Sequence, residues 1–327
     1  MSILTCRPTG RPLRERFPFT FQPMMMKIAR RLPKPVKMSL KRTSLRMRRW
    51  YARKFGNSVR GAMEAKYMPY EDGLETFVQP RLPAETEGVC KEGLPIPPAR
   101  WWFAYGQTKE EWLDQGKRDV TTMLDAVRGS GLSLAAGDRI LEVGCGCGRM
   151  LRHFKNLVPM CEVWGVDIWA EQIYWCRQHL GPHGFCFATT TTIPHLPFED
   201  RSFKLVYCGS VFTHIDDLAD AWLLEIRRVL APEGRAYITV HDNHTVELLR
   251  GPHQEIPLAQ MLELEESFGE IRDDFGMLVI GRDFMSQVFY DREYLRQNWG
   301  HFMEVVAILP EAYGYQTAVL LKRRSVG

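Results

Sequence analysis

The sequence predicts an α/β fold, a three-layer sandwich whose mostly parallel sheet carries helices on both faces, preceded by a basic helical extension. Three observations lead there. From about residue 100 onward, short apolar runs alternate with stretches of helical periodicity, the pattern of repeated strand, helix and strand units. A glycine-rich turn, Gly144 to Gly148, follows the first of these strands. Residues 24–60 carry thirteen Lys and Arg and no Asp or Glu, which leaves −9 for the rest of a chain whose formal total is +4.

Taken in order, residues 1–35 are rich in Pro, Arg and Met, lack periodicity and are expected to be disordered. Val36, Leu40, Met47, Tyr51 and Phe55 then recur at multiples of three to four residues, which gathers them on one face of a basic helix. Such a helix suits an anionic membrane, nucleic acid, the acidic remainder of the molecule or a targeting presequence, and the sequence leaves these open. The proline-bearing stretch 69–99 connects this extension, 1–68, to a domain spanning 100–327. Trp101, Trp102, Phe103 and Tyr105 form an aromatic cluster, read first as core. A helix is expected from Thr108 to Val127, stopped by Gly129 and Gly131.

Strands are expected over Arg139–Val143, Glu162–Asp167, Phe203–Cys208 and Arg235–His241, with helices over 148–156, 170–179 and 216–230. A long insertion runs from 242 to about 285. A helix near Asp291–Asn298 follows it, and then the runs Phe302–Leu309 and Gln316–Leu321, joined by a turn at Pro310–Gly314, read as an antiparallel hairpin closing the sheet.

With 327 residues and 45% hydrophobic content, the chain can bury one large core plus accessory segments. It has neither an apolar run long enough to span a membrane nor a secretory h-region, so a cytoplasmic address is expected, with peripheral membrane contact through residues 24–60 as an option. The cysteines form no paired zinc spacing, and Cys145-x-Cys147 sits in the glycine turn without a second pair, so no metal is expected.

Ile140, Leu141 and Val143 make a buried strand from which Gly144, Gly146 and Gly148 open the turn; glycine there permits positive φ and close backbone approach to a ligand. The third glycine of a dinucleotide fingerprint would stand at position 149, where Arg149 is found, which disfavours a nicotinamide site. Glu142, just before the turn, suits a cationic ligand and repels phosphate. Asp167 ends the next strand some twenty residues on, where a carboxylate can hold ribose hydroxyls or else cap a helix.

These segments carry a family resemblance. ILEVGCGCGR, VWGVDI, LPFEDRSFKLVYCGSVFTHI and RRVLAPEGRAYITV resemble successive motifs of the class I S-adenosylmethionine-dependent methyltransferases of small-molecule type, from about Trp101 to the C-terminus. Departures are Lys204, Glu233 and the Thr189–Thr192 run, where an acidic residue often touches adenine. The resemblance implies a seven-stranded sheet with its last strand antiparallel, S-adenosylmethionine as cofactor, and a lid at about 246–285. It places the cofactor's ribose and adenine on Asp167, Ile168 and Thr191. The remainder falls to Glu142, Gly144, Cys145, Gly146 and Gly148, to Gly209 and Ser210, and to Tyr105 as a cover.

The methyl group would leave at the carboxyl ends of the first, fourth and fifth strands, where Ser210, His214, His241, Asp242 and His244 lie. A histidine suits proton removal from an acceptor, with His241 the first candidate and His214 the second. The structural alternatives are that His214 packs against its helix and that Asp242 caps the insertion. Cys208-Gly-Ser replaces the Asn-Pro-Pro-Tyr type of motif, which argues against methylation of nucleic-acid bases. O-methylation of a small molecule, sugar or lipid-linked acceptor is expected; the alternative is a non-catalytic cofactor-binding module acting through its basic arm.

Overall fold

The computed structural model describes residues 85–102, 105–263, 275–281 and 286–324. The basic helix expected over 36–55 and the central part of the expected lid, 264–274, lie outside the described residues. Among the described residues, nine strands run as β1 (Arg139–Val143), β2 (Glu162–Asp167), β3 (Cys186–Thr189), β4 (Phe203–Cys208), β5 (Leu230–Asp242), β6 (Met277–Ile280), β7 (Gln287–Tyr290), β8 (Glu304–Tyr313) and β9 (Gln316–Lys322). The first five pair in parallel in the order β3-β2-β1-β4-β5. Then β9 pairs antiparallel with Ala236–Val240 of β5, and β8 pairs antiparallel with β9. This is the expected seven-stranded sheet.

Both faces of its centre are covered, which is why the strands read as continuous apolar runs. Side chains alternate across the sheet, so Ile140, Leu205 and Tyr207 enter one core cluster while Leu141, Val143 and Val206 enter the other. The first cluster is closed by helix α1 (Lys109–Gly129), which starts at a capping box of Thr108 and Glu111. Trp112, Gly116, Val120, Met123 and Val127 form its buried face. Trp101 and Trp102 are core, as expected: Trp102 stacks on Trp112 at 6.2 Å and Trp101 meets Trp175 edge-on at 6.3 Å. Helix α2 (Ala170–His179) takes its expected place, and α3 (Ala219–Val229) closes the second cluster with Trp222, Leu223 and Ile226.

Gly116 lets α1 lie directly on the glycine turn, for a β-carbon there would stand 2.6 Å from the Arg149 carbonyl oxygen. Gly116→Ala should therefore destabilise the protein by about 1–3 kcal/mol in denaturant unfolding, although alanine is the better helix former, because the obstacle is backbone that cannot move aside.

Three expectations are corrected. The helix expected over 148–156 is a series of turns around a 3₁₀ stretch, Leu151–Phe154. Gly148 is left-handed at φ +79°, so helical winding starts late, and the N–H groups of His153 and Lys155 reach back three residues, to Met150 and Arg152, rather than four. The fifth strand is longer than expected, reaching from Leu230 through Asp242. The insertion contributes sheet as well as helices α4 (Asn243–Arg250) and α5 (Pro257–Leu262): its strand β6 pairs antiparallel with β7, and β7 runs parallel to β5 at His241 and Asp242. The sheet thus forks at the carboxyl end of β5, and the added branch carries its own small core of Val246, Leu249, Leu262, Ile280 and Phe289. Among the described residues, no helix is long and apolar enough to cross a membrane.

Candidate active site

Gly144, Gly146 and Gly148 all adopt positive φ, at +79°, +52° and +79°. Their N–H groups are already committed. Gly144 and Cys145 both donate to the Val166 carbonyl at 2.8 and 3.1 Å, Gly146 donates to Asp167 Oδ2 at 2.7 Å, and Gly148 donates to Cys145 at 2.9 Å. A turn whose amides are spent in this way cannot cradle a phosphate. It offers bare backbone instead: a β-carbon at Gly148 would meet Leu180 at 2.7 Å, and one at Gly146 would meet Gln172 Oε1 at 3.1 Å, a buried oxygen with no partner among the described residues. Cys145 and Cys147 are buried, and burial raises both thiols, Cys147 to about 12, so they stay protonated and act as small packing groups.

Asp167 ties the two ends of the site together. Its Oδ2 holds Gly146 N–H and its Oδ1 accepts from Trp169 N–H at 2.8 Å. Burial raises the carboxyl's pKa, while these backbone donors pull it down. A carboxylate has about four lone-pair positions, so roughly two remain for outside donors. The next residue, Ile168, is 49% exposed, an apolar side chain left open at the edge of the turn. Thr191 lies on the loop beyond β3, but its hydroxyl is engaged locally, accepting from Ile193 N–H at 3.2 Å.

Glu142 does not face solvent. It is buried at 3% exposure and accepts a hydrogen bond from the Tyr207 hydroxyl at 2.9 Å. Desolvation raises its pKa to about 8, so the carboxyl is largely protonated at neutral pH. A folded-state value above the ordinary 4.5 means that the native chain binds the extra proton, so stability falls as pH rises from 4.5 to about 8 and levels beyond it. Glu142→Gln should flatten that slope in thermal denaturation, with the variant gaining on the parent protein throughout the interval.

Beside the turn stands a cluster that the sequence did not disclose. Arg149 is buried, pairs with Asp119 of α1 at 2.6 Å, hydrogen-bonds the Tyr313 hydroxyl, and lies 4.0 Å from the centre of the Tyr105 ring. Tyr313 also approaches Gly209, where a β-carbon would stand 3.0 Å from its hydroxyl. Tyr105 and Gly209 therefore both border the Arg149 and Tyr313 pair. A buried arginine requires a carboxylate, and Asp119 on the apolar face of α1 was the available signal.

The end of β4 is held in an uncommon conformation, with Ser210 left-handed at φ +57°. Its N–H donates to Thr239 Oγ1 at 2.7 Å, Thr239 donates to Gln316 Oε1 at 2.7 Å, and Gln316 Nε2 returns to Ser210 Oγ at 2.9 Å. This closed ring fixes the loop that leads to His214.

His214 has an exposed face, and its Nδ1 lies 2.8 Å from the Ser286 carbonyl. A carbonyl only accepts, so Nδ1 carries the proton and Nε2 keeps a lone pair. Desolvation lowers the pKa of His214 below 6.5. His241 is different: it is 2% exposed, and burial takes its pKa down to about 3, which makes it a poor proton acceptor as it stands. Asp242 caps α4, accepting from Thr245 N–H at 2.9 Å, and pairs with Arg292 at 2.6 Å, as the structural alternative anticipated. His244 binds Glu311 at 2.8 Å, which raises its pKa. Among the described residues no cluster of ligands could hold a metal ion.

Residues 141–238 match the family model described as a methyltransferase domain. The chain is 34% identical over 105 residues to an uncharacterized methyltransferase of Schizosaccharomyces pombe, covering 30% of this chain and 37% of that protein. It is 32% identical over 137 residues to the O-methyltransferase rstn1 of Aspergillus nomiae, covering 39% and 59% respectively. The chain thus spans less than two thirds of either relative. A crystal structure of a Pyrococcus horikoshii protein superposes with a TM-score of 0.48 at 17% identity, over 68% of this chain and 95% of that one.

Proposed function

We propose that this chain, whose residues 141–238 match a methyltransferase domain, is a class I S-adenosylmethionine-dependent enzyme that transfers the cofactor's methyl group to a hydroxyl oxygen of a small molecule, sugar or lipid-linked acceptor. The observation that carries this reading is Asp167, whose carboxylate is anchored to the glycine turn through Gly146 and retains acceptor capacity beside the exposed Ile168. Such a donor set fits a nucleoside: the carboxylate would hold the ribose hydroxyls, Ile168 would pack on the base, and the bare backbone of Gly144 to Gly148 would admit the methionine portion. The cofactor supplies a methyl group already activated on a sulfonium.

What remains for the protein is alignment and proton removal. His214 Nε2, with its tautomer set by Ser286, would take the proton of the acceptor hydroxyl as the carbon–oxygen bond forms. The choice of oxygen draws support from the rstn1 relative, which is an O-methyltransferase. The test is a screen for S-adenosylhomocysteine release across sugars, phenols, quinone precursors and lipids. Turnover with a hydroxylated acceptor is expected. Cofactor binding by calorimetry without turnover on any acceptor would instead favour a binding module.

A further inference from the structure

We propose that Gln287 is a positioning residue that fixes His241 as its Nε2–H tautomer, so that the buried Nδ1 of His241 accepts a hydrogen bond from a donor group on the methyl acceptor. This rests on the methyl-transfer reading above and gives His241 a role other than that of base. His241 Nε2 lies 3.2 Å from Gln287 Oε1, an oxygen that can only accept, so the ring proton sits on Nε2. Nδ1 is then a lone pair, and it is buried with no partner among the described residues. The ring stacks on Phe289 at 5.0 Å and on Tyr315 at 5.8 Å, so a ligand reaches Nδ1 along the ring edge, in the plane of its lone pair. Tyr315 is half-buried beside the hairpin turn at Gly314.

An unsatisfied acceptor inside a protein calls for a specific explanation, and its location supplies one. His241 lies two residues beyond Thr239 on β5, on the same side of the strand as the hydroxyl ring that holds Ser210 at the end of β4. With a pKa near 3 the imidazole stays neutral at physiological pH, so it is a steady acceptor of hydrogen bonds and takes no proton. The neighbouring, partly exposed ring of Tyr315 favours an apolar body for the substrate.

The β6–β7 branch sets both histidines. Ser286 O holds the Nδ1–H of His214, while Ser286 Oγ donates to His214 O at 3.2 Å and Val288 N–H donates to Thr213 O at 2.9 Å. The next residue, Gln287, holds the Nε2–H of His241. The two rings are left in opposite tautomers: the exposed one is free at Nε2 to take a proton, and the buried one is free at Nδ1 to orient the substrate.

The test is nitrogen NMR of the full-length protein labelled at histidine and loaded with S-adenosylhomocysteine. His241 is expected to show an unprotonated Nδ1 and a protonated Nε2. Gln287→Met should abolish that bias and Gln287→Glu should keep it, with both variants binding S-adenosylhomocysteine as the parent does. Phenol should shift the Nδ1 resonance toward the protonated position, whereas anisole, which lacks the donor, should leave it in place. A protonated Nδ1, as the reversed Gln287 amide would impose, overturns the proposal. So does an unchanged bias in Gln287→Met, or an equal response to phenol and anisole. Failure to bind S-adenosylhomocysteine at all would count against the methyl-transfer reading instead.

Discussion

Asp167→Ala is expected to weaken S-adenosylhomocysteine binding by about 100-fold or more, measured by titration calorimetry. Two losses combine. A hydrogen bond to a charged group contributes about 1.5–3 kcal/mol, and the proposed contact to ribose uses two of them, so removing both exceeds the 2.8 kcal/mol or so that corresponds to 100-fold. The same carboxylate holds Gly146 N–H and Trp169 N–H at 2.7 and 2.8 Å, and its removal releases the turn that the rest of the cofactor would use. Asp167→Asn separates the two effects. An amide oxygen can keep one backbone N–H in place, but the amide nitrogen turns a donor toward the other, so cofactor affinity should fall while the melting temperature drops less than in Asp167→Ala. Unchanged affinity in both variants would remove Asp167 from the cofactor site.

Much of this architecture is legible in the sequence because its cause is local. The strands β1, β2 and β4 occupy their expected residues, since burial on both faces writes a mostly apolar run that turn residues bound sharply. The glycines of the turn are likewise visible one by one. Where the chain departs from expectation, the deciding contact is remote. Arg149 was notable in the sequence only for not being glycine, yet it is fixed by Asp119, thirty residues earlier, and by Tyr313, 164 residues later. The branch of β6 and β7 was hidden in and just beyond the stretch read as insertion, because two four-residue strands leave too short a periodic signal. Both histidines were recognisable as lying past strand ends. Their ranking was not, because it depends on burial, and the burial of His241 comes from Phe289 and Tyr315, on β7 and the β8–β9 hairpin.

Reversing that ranking makes the second prediction. His214→Ala should lower kcat/KM with a hydroxyl acceptor by about 10²–10⁴-fold, the usual contribution of a positioned base, and should leave S-adenosylhomocysteine affinity unchanged. The groups that face the ring are the Ser286 carbonyl, the Gln287 amide and the neutral His241, none of which stabilises an imidazolium by charge. Desolvation therefore dominates and holds His214 below its ordinary 6.5, so the base is already free at neutral pH. The rate should climb with pH through an apparent value below 6.5 and then stay level, and that acid limb should vanish in His214→Ala. The same depression has a sign for stability: an unfolded chain binds the proton more readily, so the contribution is present above 6.5 and is lost as pH falls through the lower folded-state value. A low-pH loss of rate that persists in His214→Ala would assign the limb to unfolding and take His214 out of the reaction. Partial rescue of the alanine variant by added imidazole would place the missing lone pair where the ring stood, since an unfolded or misaligned site gains nothing from a small base.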